Sequence, residues 1–428
     1  MKSDHVLRTV LDNGLTVLIR EMHHAPVATF WVFYRVGSRN EVPGTTGISH
    51  WVEHMMFKGT PSFPSKTLDW AIARVGGHWN AFTSPDLTTF FETMPAAEID
   101  LSLQIESDRM VNSLFGEDEV ESERSVIISE RQGLENSPMF LLSEKVYAAA
   151  FRVHPYHHKV IGDMVDLETI SRDDLYAHYR QFYNPSNAIG VAVGDFVQDT
   201  MLARISELFG PLPPGQVPSP LHRIEPEQRG ERRLTIEGEG ETAYLMLAYR
   251  APRATDPDFF PLAVLATALL GGGAGPLGNS GSNKSSRLYK ALVDTELAAA
   301  VNGGLTPSLD PTLLTISVTV RAGGTPDQVE AALDAELGQL LADRPVSEAE
   351  LAKAIKRAKA AFAYSSESVT NQGFWLGFSE LTAGSHTFLD DYLDKIQRVT
   401  LDDLSRVAAN CFDRRRRTVG WYIPGNDS

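Results

Sequence analysis

The chain has 428 residues, 43% hydrophobic and 22% charged, and its 39 Lys and Arg against 55 Asp and Glu leave a net charge of −16. These values suit a folded globular protein of two or three domains, make a poor nucleic-acid binder, and serve either to attract basic peptides or simply to keep the chain in solution. No run of eighteen apolar residues is present, so no membrane span is expected; no apolar leader follows MetLysSerAspHis, and a lone Cys411 suits a reducing, cytoplasmic setting.

In chain order, a strand pattern comes first. Residues 48–56 then read as a helix, with Thr45 or Thr46 placed to cap its start and Gly59 to end it. Ile48, Trp51, Val52, Met55 and Met56 share one face, as packing on a core requires. Residues 117–136 read as a second helix, on which Glu123 and Glu130 are seven apart and share a stripe with Val126 and Ile127. Carboxylates in an apolar stripe are expected to face inward and to need a metal, a cation or several donors. Glu117, Asp118, Glu119 and Glu121 read as solvated. HisProTyrHisHis (154–158) contains a proline and reads as an irregular loop rather than a metal site.

A faint repeat then organises the chain. SerArgAspAspLeu (171–175) leads through a helix to PheTyrAsn (182–184) and AlaIleGlyValAlaValGly (188–194). About 230 residues later, ThrLeuAspAspLeu (400–404) leads through a helix to CysPheAsp (411–413) and ThrValGlyTrpTyrIlePro (418–424). Phe30–Arg35 likewise parallels Ala243–Arg250. ProLeuProProGlyGlnValProSerPro (211–220) lies between the halves as an extended linker. The expected fold class is therefore α+β: two homologous α/β domains, 1–212 and 230–428, joined by a proline-rich linker at 213–229. Each domain should be a mostly antiparallel sheet with helices packed on it. GlyGlyGlyAlaGlyProLeuGlyAsnSerGly (271–281) has no following Gly-Lys-Ser/Thr and reads as a mobile loop, not a phosphate loop. ArgArgArgArg (414–417) reads as a solvated turn.

The chemistry concentrates in His50-Trp51-Val52-Glu53-His54. This H-x-x-E-H order is the one found in inverzincin metallopeptidases. At about 100° per residue, His50, Glu53 and His54 share one helical face, so two neutral nitrogens can reach one zinc with a carboxylate beside them. A chance occurrence is expected on the order of 0.02 times per chain, which puts two unrelated core histidines well behind the zinc reading. Glu130 is the best third ligand. Glu123 fits a role orienting a ligand histidine.

The H-x-x-E-H motif, with E-x6-E some 75 residues on, resembles the pitrilysin family, which includes insulin-degrading enzyme, mitochondrial processing peptidase and half-size bacterial peptidases. LeuAspAsnGlyLeuThrVal (11–17), ArgValGlySerArgAsnGlu (35–41), GlyGlyHisTrpAsnAlaPheThrSer (76–84), HisProTyr (154–156) with IleGly (161–162), AsnProSerAsn (184–187) and SerArgLeuTyr (286–289) follow in the family's order. The resemblance implies a zinc endopeptidase with one zinc per chain, held by His50, His54 and Glu130. Glu53 would be the general base on a zinc-bound water. Asn80, Ala81, Phe82 and Thr83 would form the edge strand that pairs with a peptide substrate, inside a closed chamber that admits short or unfolded peptides.

Two departures matter. With an offset of 215, His50, Glu53 and His54 map to Leu265, Ala268 and Leu269, so the second half keeps a helix but no ligands. The family also uses an arginine and a tyrosine seven apart in its second half; Val293 and Ala300 stand there. The expected partner is therefore a homologous subunit supplying the Arg/Tyr pair in a heterodimer, with a homodimer as the alternative. A non-catalytic structural subunit is the competing reading, against which stands a complete ligand set with Glu53.

Overall fold

A computed structural model describes residues 6–271 and 284–425, so the glycine-rich stretch beyond Gly271 lies outside the described residues. Among them, eleven strands form two sheets. The first contains β1 (Val6–Val10), β2 (Thr16–Glu21), β3 (Val27–Tyr34), β4 (His78–Thr83), β5 (Thr88–Pro95) and β6 (Ala188–Gly194), in the order β1-β2-β6-β3-β5-β4. The second contains β7 (Arg232–Gly238), β8 (Tyr244–Ala251), β9 (Ala298–Gly304), β10 (Thr312–Val320) and β11 (Arg417–Pro424), in the order β7-β11-β8-β10-β9. Each sheet has one parallel pair, β2–β6 or β7–β11, and is otherwise antiparallel. Strand for strand the orders correspond, with β1 as an extra strand on the first sheet. The paired segments seen in the sequence are β3 with β8 and β6 with β11.

The repeated acidic pentads have a physical meaning. Ser171 and Thr400 are helix N-caps, and each completes a capping box with an aspartate three residues on, Asp174 or Asp403. The capped helices, Arg172–Phe182 and Leu401–Cys411, each run into a one-turn 3-10 helix and then into a central strand. Arg414–Arg416 is the second of those 3-10 turns. Arg414 and Arg415 in it are exposed, as expected of a solvated turn, but the basic run's last residue is not. Arg417 is buried and pairs with Glu231, Glu330 and Asp334, while Arg416 reaches Glu227 at 2.9 Å.

The chain packs as two compact units. One contains residues up to 133, 158–223 and 366–390; the other contains 134–157, 224–365 and 391 onward. The division drawn from the repeat, 1–212 and 230–428, follows the sheets but not two helices. Pro138–Ala150 belongs with the second sheet, where Leu142, Val146 and Ala150 pack with Met246, Ala248, Leu313 and Tyr422. Val369–Ala383 belongs with the first, packed on β3 and β6. There Gly377 lies so close to the Phe33 ring that a Cβ would fall 2.0 Å from it, so only glycine allows this approach. Helical periodicity shows that these segments are helices, but not which sheet they cover. Among the described residues no helix is long and apolar enough to cross a membrane.

Candidate metal centre

The helix Ile48–Met55 follows β3 and turns its apolar side inward: Trp51, Val52, Met55 and Met56 are fully buried. Its start is held differently from the sequence expectation. Neither Thr45 nor Thr46 caps it. The N-cap is Gly47, in the left-handed region at φ 90°, and a Cβ there would lie 2.6 Å from the Ile161 carbonyl oxygen. The unpaired backbone donors at this buried start are met by carboxylates. Glu41 accepts from Gly47 N and Ser49 N, both at 2.9 Å, and Asp166 accepts from the Thr46 amide and hydroxyl. His158 Nε2 braces Glu41 at 3.0 Å. His158, the last residue of the HisProTyrHisHis segment, thus supports this helix through Glu41.

The second carboxylate-bearing helix, Glu117–Glu135, is docked on the first by Arg124. Its guanidinium lies 4.7 Å from the Trp51 ring and donates to the Leu167 and Ile170 carbonyls. The expected inward stripe is only half realised. Glu123 and Ile127 are buried, but Val126 is 48% exposed and Glu130 is exposed. The helix meets the site at an edge, so one carboxylate sits beneath the histidines and the other at an open rim.

His50, His54 and Glu130 converge, with one ligand atom from each lying within 4.8 Å of the others. Glu130 Oε2 is 3.9 Å from His50 Nε2 and 3.8 Å from His54 Nε2. Tetrahedral ligands 2.0–2.1 Å from a zinc ion lie about 3.4 Å apart, so these two sides of the triangle need to close by only about half an ångström. Two imidazoles and one carboxylate are a donor set zinc accepts, and three protein ligands leave a fourth position for substrate chemistry. Glu123 Oε1 takes the His54 Nδ1 proton at 2.8 Å and its other oxygen meets Lys58, leaving Nε2 as the ligand nitrogen. Nδ1 of His50 is buried with no hydrogen-bond partner among the described residues, so packing alone orients that ring.

The electrostatics follow from burial and these contacts. Burial, then the nearby His54, pulls His50 down to about 4, so it is neutral and ready to ligate at physiological pH. Burial also works against the charged form of His54, but hydrogen bonding to Glu123 and the charges of Glu53, Glu123 and Glu130 raise it overall. Glu53 is 7% exposed, and burial lifts its carboxyl to about 7 against the opposing hydrogen bond from Thr83. A carboxylate poised near neutrality is suited to moving a proton.

β4 is the outer strand of its sheet, so Asn80, Ala81, Phe82 and Thr83 lie on an edge as expected. Their side chains divide by parity. Trp79, Ala81 and Thr83 face the histidine helix, whereas His78 and Phe82 meet Phe91 and Phe374 on the other face. The Asn80 side chain accepts from the Ala81 amide. Four supports escaped the sequence reading: Glu41, His158, Lys58 and the Thr83 hydroxyl. Lys58 left a local signal, four residues after His54 at helical spacing, and Glu41 lies six and eight residues before its partners; His158 and Thr83 lie 117 and 30 residues from theirs in sequence.

Two sheets of one topology, with an inverted H-x-x-E-H helix and a third carboxylate in one of them, define the class of zinc-protease-like α+β proteins. The comparisons agree. Residues 16–164 match the model for Insulinase (Peptidase family M16), and 169–358 match Peptidase M16 inactive domain. The chain is 30% identical to the zinc protease PqqE of Helicobacter pylori over 425 residues, covering 97% of this chain and 92% of that protein. It is 27% identical to the mitochondrial-processing peptidase subunit beta of Lentinula edodes, covering 94% and 86%. A crystal structure of a protease from Helicobacter pylori superposes with a TM-score of 0.91 at 28% identity, covering 98% and 99%. The chain belongs to the M16 peptidase family.

Proposed function

We propose that the chain is the metal-bearing subunit of a zinc endopeptidase that hydrolyses short or unfolded peptides in a closed chamber. The observation that carries this reading is the meeting of His50, His54 and Glu130 within 4.8 Å beside a buried Glu53. A purely structural site has no use for a fourth residue whose carboxyl is raised. His50, His54 and Glu130 would hold one zinc, with Glu123 orienting His54. When bound, zinc supplies a Lewis acid for the attacking water and the scissile carbonyl. Glu53 takes the water's proton and delivers it to the leaving amine. The substrate adds as a strand along Asn80–Thr83, using main-chain hydrogen bonds that tolerate many side chains.

Oxyanion support would come from a second polypeptide. Val293 and Ala300 carry no donor, and Arg287 is committed elsewhere: it pairs with Glu350 and donates to the Arg344 and Pro345 carbonyls. A missing donor typically costs about 10²–10³ in rate. The names of two relatives, a zinc protease and the beta subunit of a processing peptidase, favour the same reading. The test is steady-state cleavage of basic, unstructured peptides by the zinc-loaded chain, alone and with a homologous subunit carrying the Arg/Tyr pair. Slow turnover alone and a large gain with the partner are expected. Full activity from the isolated chain sinks the heterodimer, and comparable cleavage of a stable folded protein and its denatured form sinks the chamber.

A further inference from the structure

We propose that Thr83 is a positioning residue for Glu53, its hydroxyl tying the proton-transfer carboxylate to the edge strand on which a peptide would lie. This rests on the proposed function and extends it from the backbone of β4 to one side chain. Thr83 Oγ1 lies 2.5 Å from Glu53 Oε2, and among the described residues it is the one hydrogen-bond donor to that carboxylate. Proton counting fixes the direction. Thr88 Oγ1, 3.3 Å from the same hydroxyl, gives its own proton to the Val36 carbonyl at 3.0 Å. The single Thr83 proton therefore goes to the nearer acceptor, the Glu53 carboxyl oxygen. Oε2 of Glu53 is thereby occupied, which leaves Oε1 to receive a proton from water.

The strand makes this contact rigid. Thr83 is the last residue of β4 and pairs with Thr88 of β5. Its neighbours on the same face, Ala81 and Trp79, pack toward the histidine helix, with the Trp79 ring 4.7 Å from Phe57. A β-branched residue in a strand has little freedom at χ1, so its hydroxyl is aimed by the backbone. Glu53, with its longer side chain, has no comparable stiffness of its own. A peptide that pairs with the open edge of β4 steadies the strand and, through this hydroxyl, the base. Misplacement of a reacting group by about 1 Å can cost about 10²-fold in rate.

The test compares Thr83→Val, which keeps shape and removes the donor, with Thr83→Ser, which keeps the donor. Thr83→Ala serves as a second hydroxyl-free variant that adds no bulk. All are assayed zinc-loaded, with the partner subunit if activity requires it, and beside Glu53→Gln. The Val and Ala variants should keep one zinc per chain and an unchanged KM while kcat falls by about ten- to a hundredfold. Thr83→Ser should restore most of kcat. Crystal structures supply a readout independent of turnover: Glu53 should leave its rotamer in Thr83→Val and return to it in Thr83→Ser. Unchanged kcat in Val and Ala, equal damage by Val and Ser, or an unmoved Glu53 overturns the inference. A fully active Glu53→Gln instead overturns the proposed function itself, so the two failures are told apart.

Discussion

The helices Ile48–Met55 and Phe259–Leu270 occupy corresponding places, each after a strand at the middle of a sheet of the same order. The first carries a polar face of half-buried His50 and His54 with buried Glu53, opposite a buried apolar one. The second buries eleven of its twelve residues, and Leu265 and Leu269 stand where the first has histidines. The first needs outside help at almost every polar atom: Glu41 and Asp166 at its start, Glu123 on His54, Thr83 on Glu53. The second needs only apolar neighbours, and a left-handed Gly271 to end it. One scaffold thus tolerates both a reactive helix and an inert one. The difference lies in the side chains brought to it, because sheet order depends on strand patterning and not on what faces away from the core.

Substitutions can break or sharpen this contrast. The largest effect is expected from His54→Ala, which should abolish stoichiometric zinc and with it peptide cleavage; undiminished zinc by metal analysis would falsify the site. Next comes Glu53→Gln, which keeps zinc while turnover falls by ~10² or more, because the amide cannot accept the proton. Glu130→Gln should weaken zinc binding instead, and equal zinc loss in both variants would mean the roles are exchanged. In the inert helix the consequence changes in kind. Leu265→Ala should lower unfolding free energy by about 2–5 kcal/mol, as a core cavity does, and leave zinc content untouched. A change in metal stoichiometry there would contradict the separation of roles.

The smallest effect is electrostatic. In the unit that lacks the metal ligands, the Arg287 guanidinium, helped by Ser347, holds the Glu350 carboxyl down at about 2. A carboxyl lowered on folding stabilises the native state above its ordinary value near 4.5, and that stabilisation is lost as pH falls toward 2. Glu350→Gln should therefore flatten the acid dependence of unfolding between those values, modestly, since the group is partly exposed. An unchanged acid limb in the variant would show that this pair contributes little.

How much of this could be read from the sequence depends on the reach of each signal. The H-x-x-E-H face was legible because three residues within one helical turn specify their own geometry. The repeat was legible because capping boxes at Ser171 and Thr400 and the strands after them are local patterns. Glu123 and Glu130 could be paired by heptad spacing, but the exposure of Val126 could not, because it depends on where the helix meets its neighbour. The sequence by itself determined the element types, the two-fold repeat of sheets and the chemical set His50, Glu53, His54 and Glu130. Only tertiary structure decided that Pro138–Ala150 and Val369–Ala383 belong with the sheets of the opposite sequence halves, that His158 braces Glu41 at the helix start, and that Thr83 reaches Glu53. The physical reason is range: dihedral preferences and periodicity act over a few residues, whereas burial and hydrogen-bond partnership across 30 to 120 residues are set by packing of the whole chain.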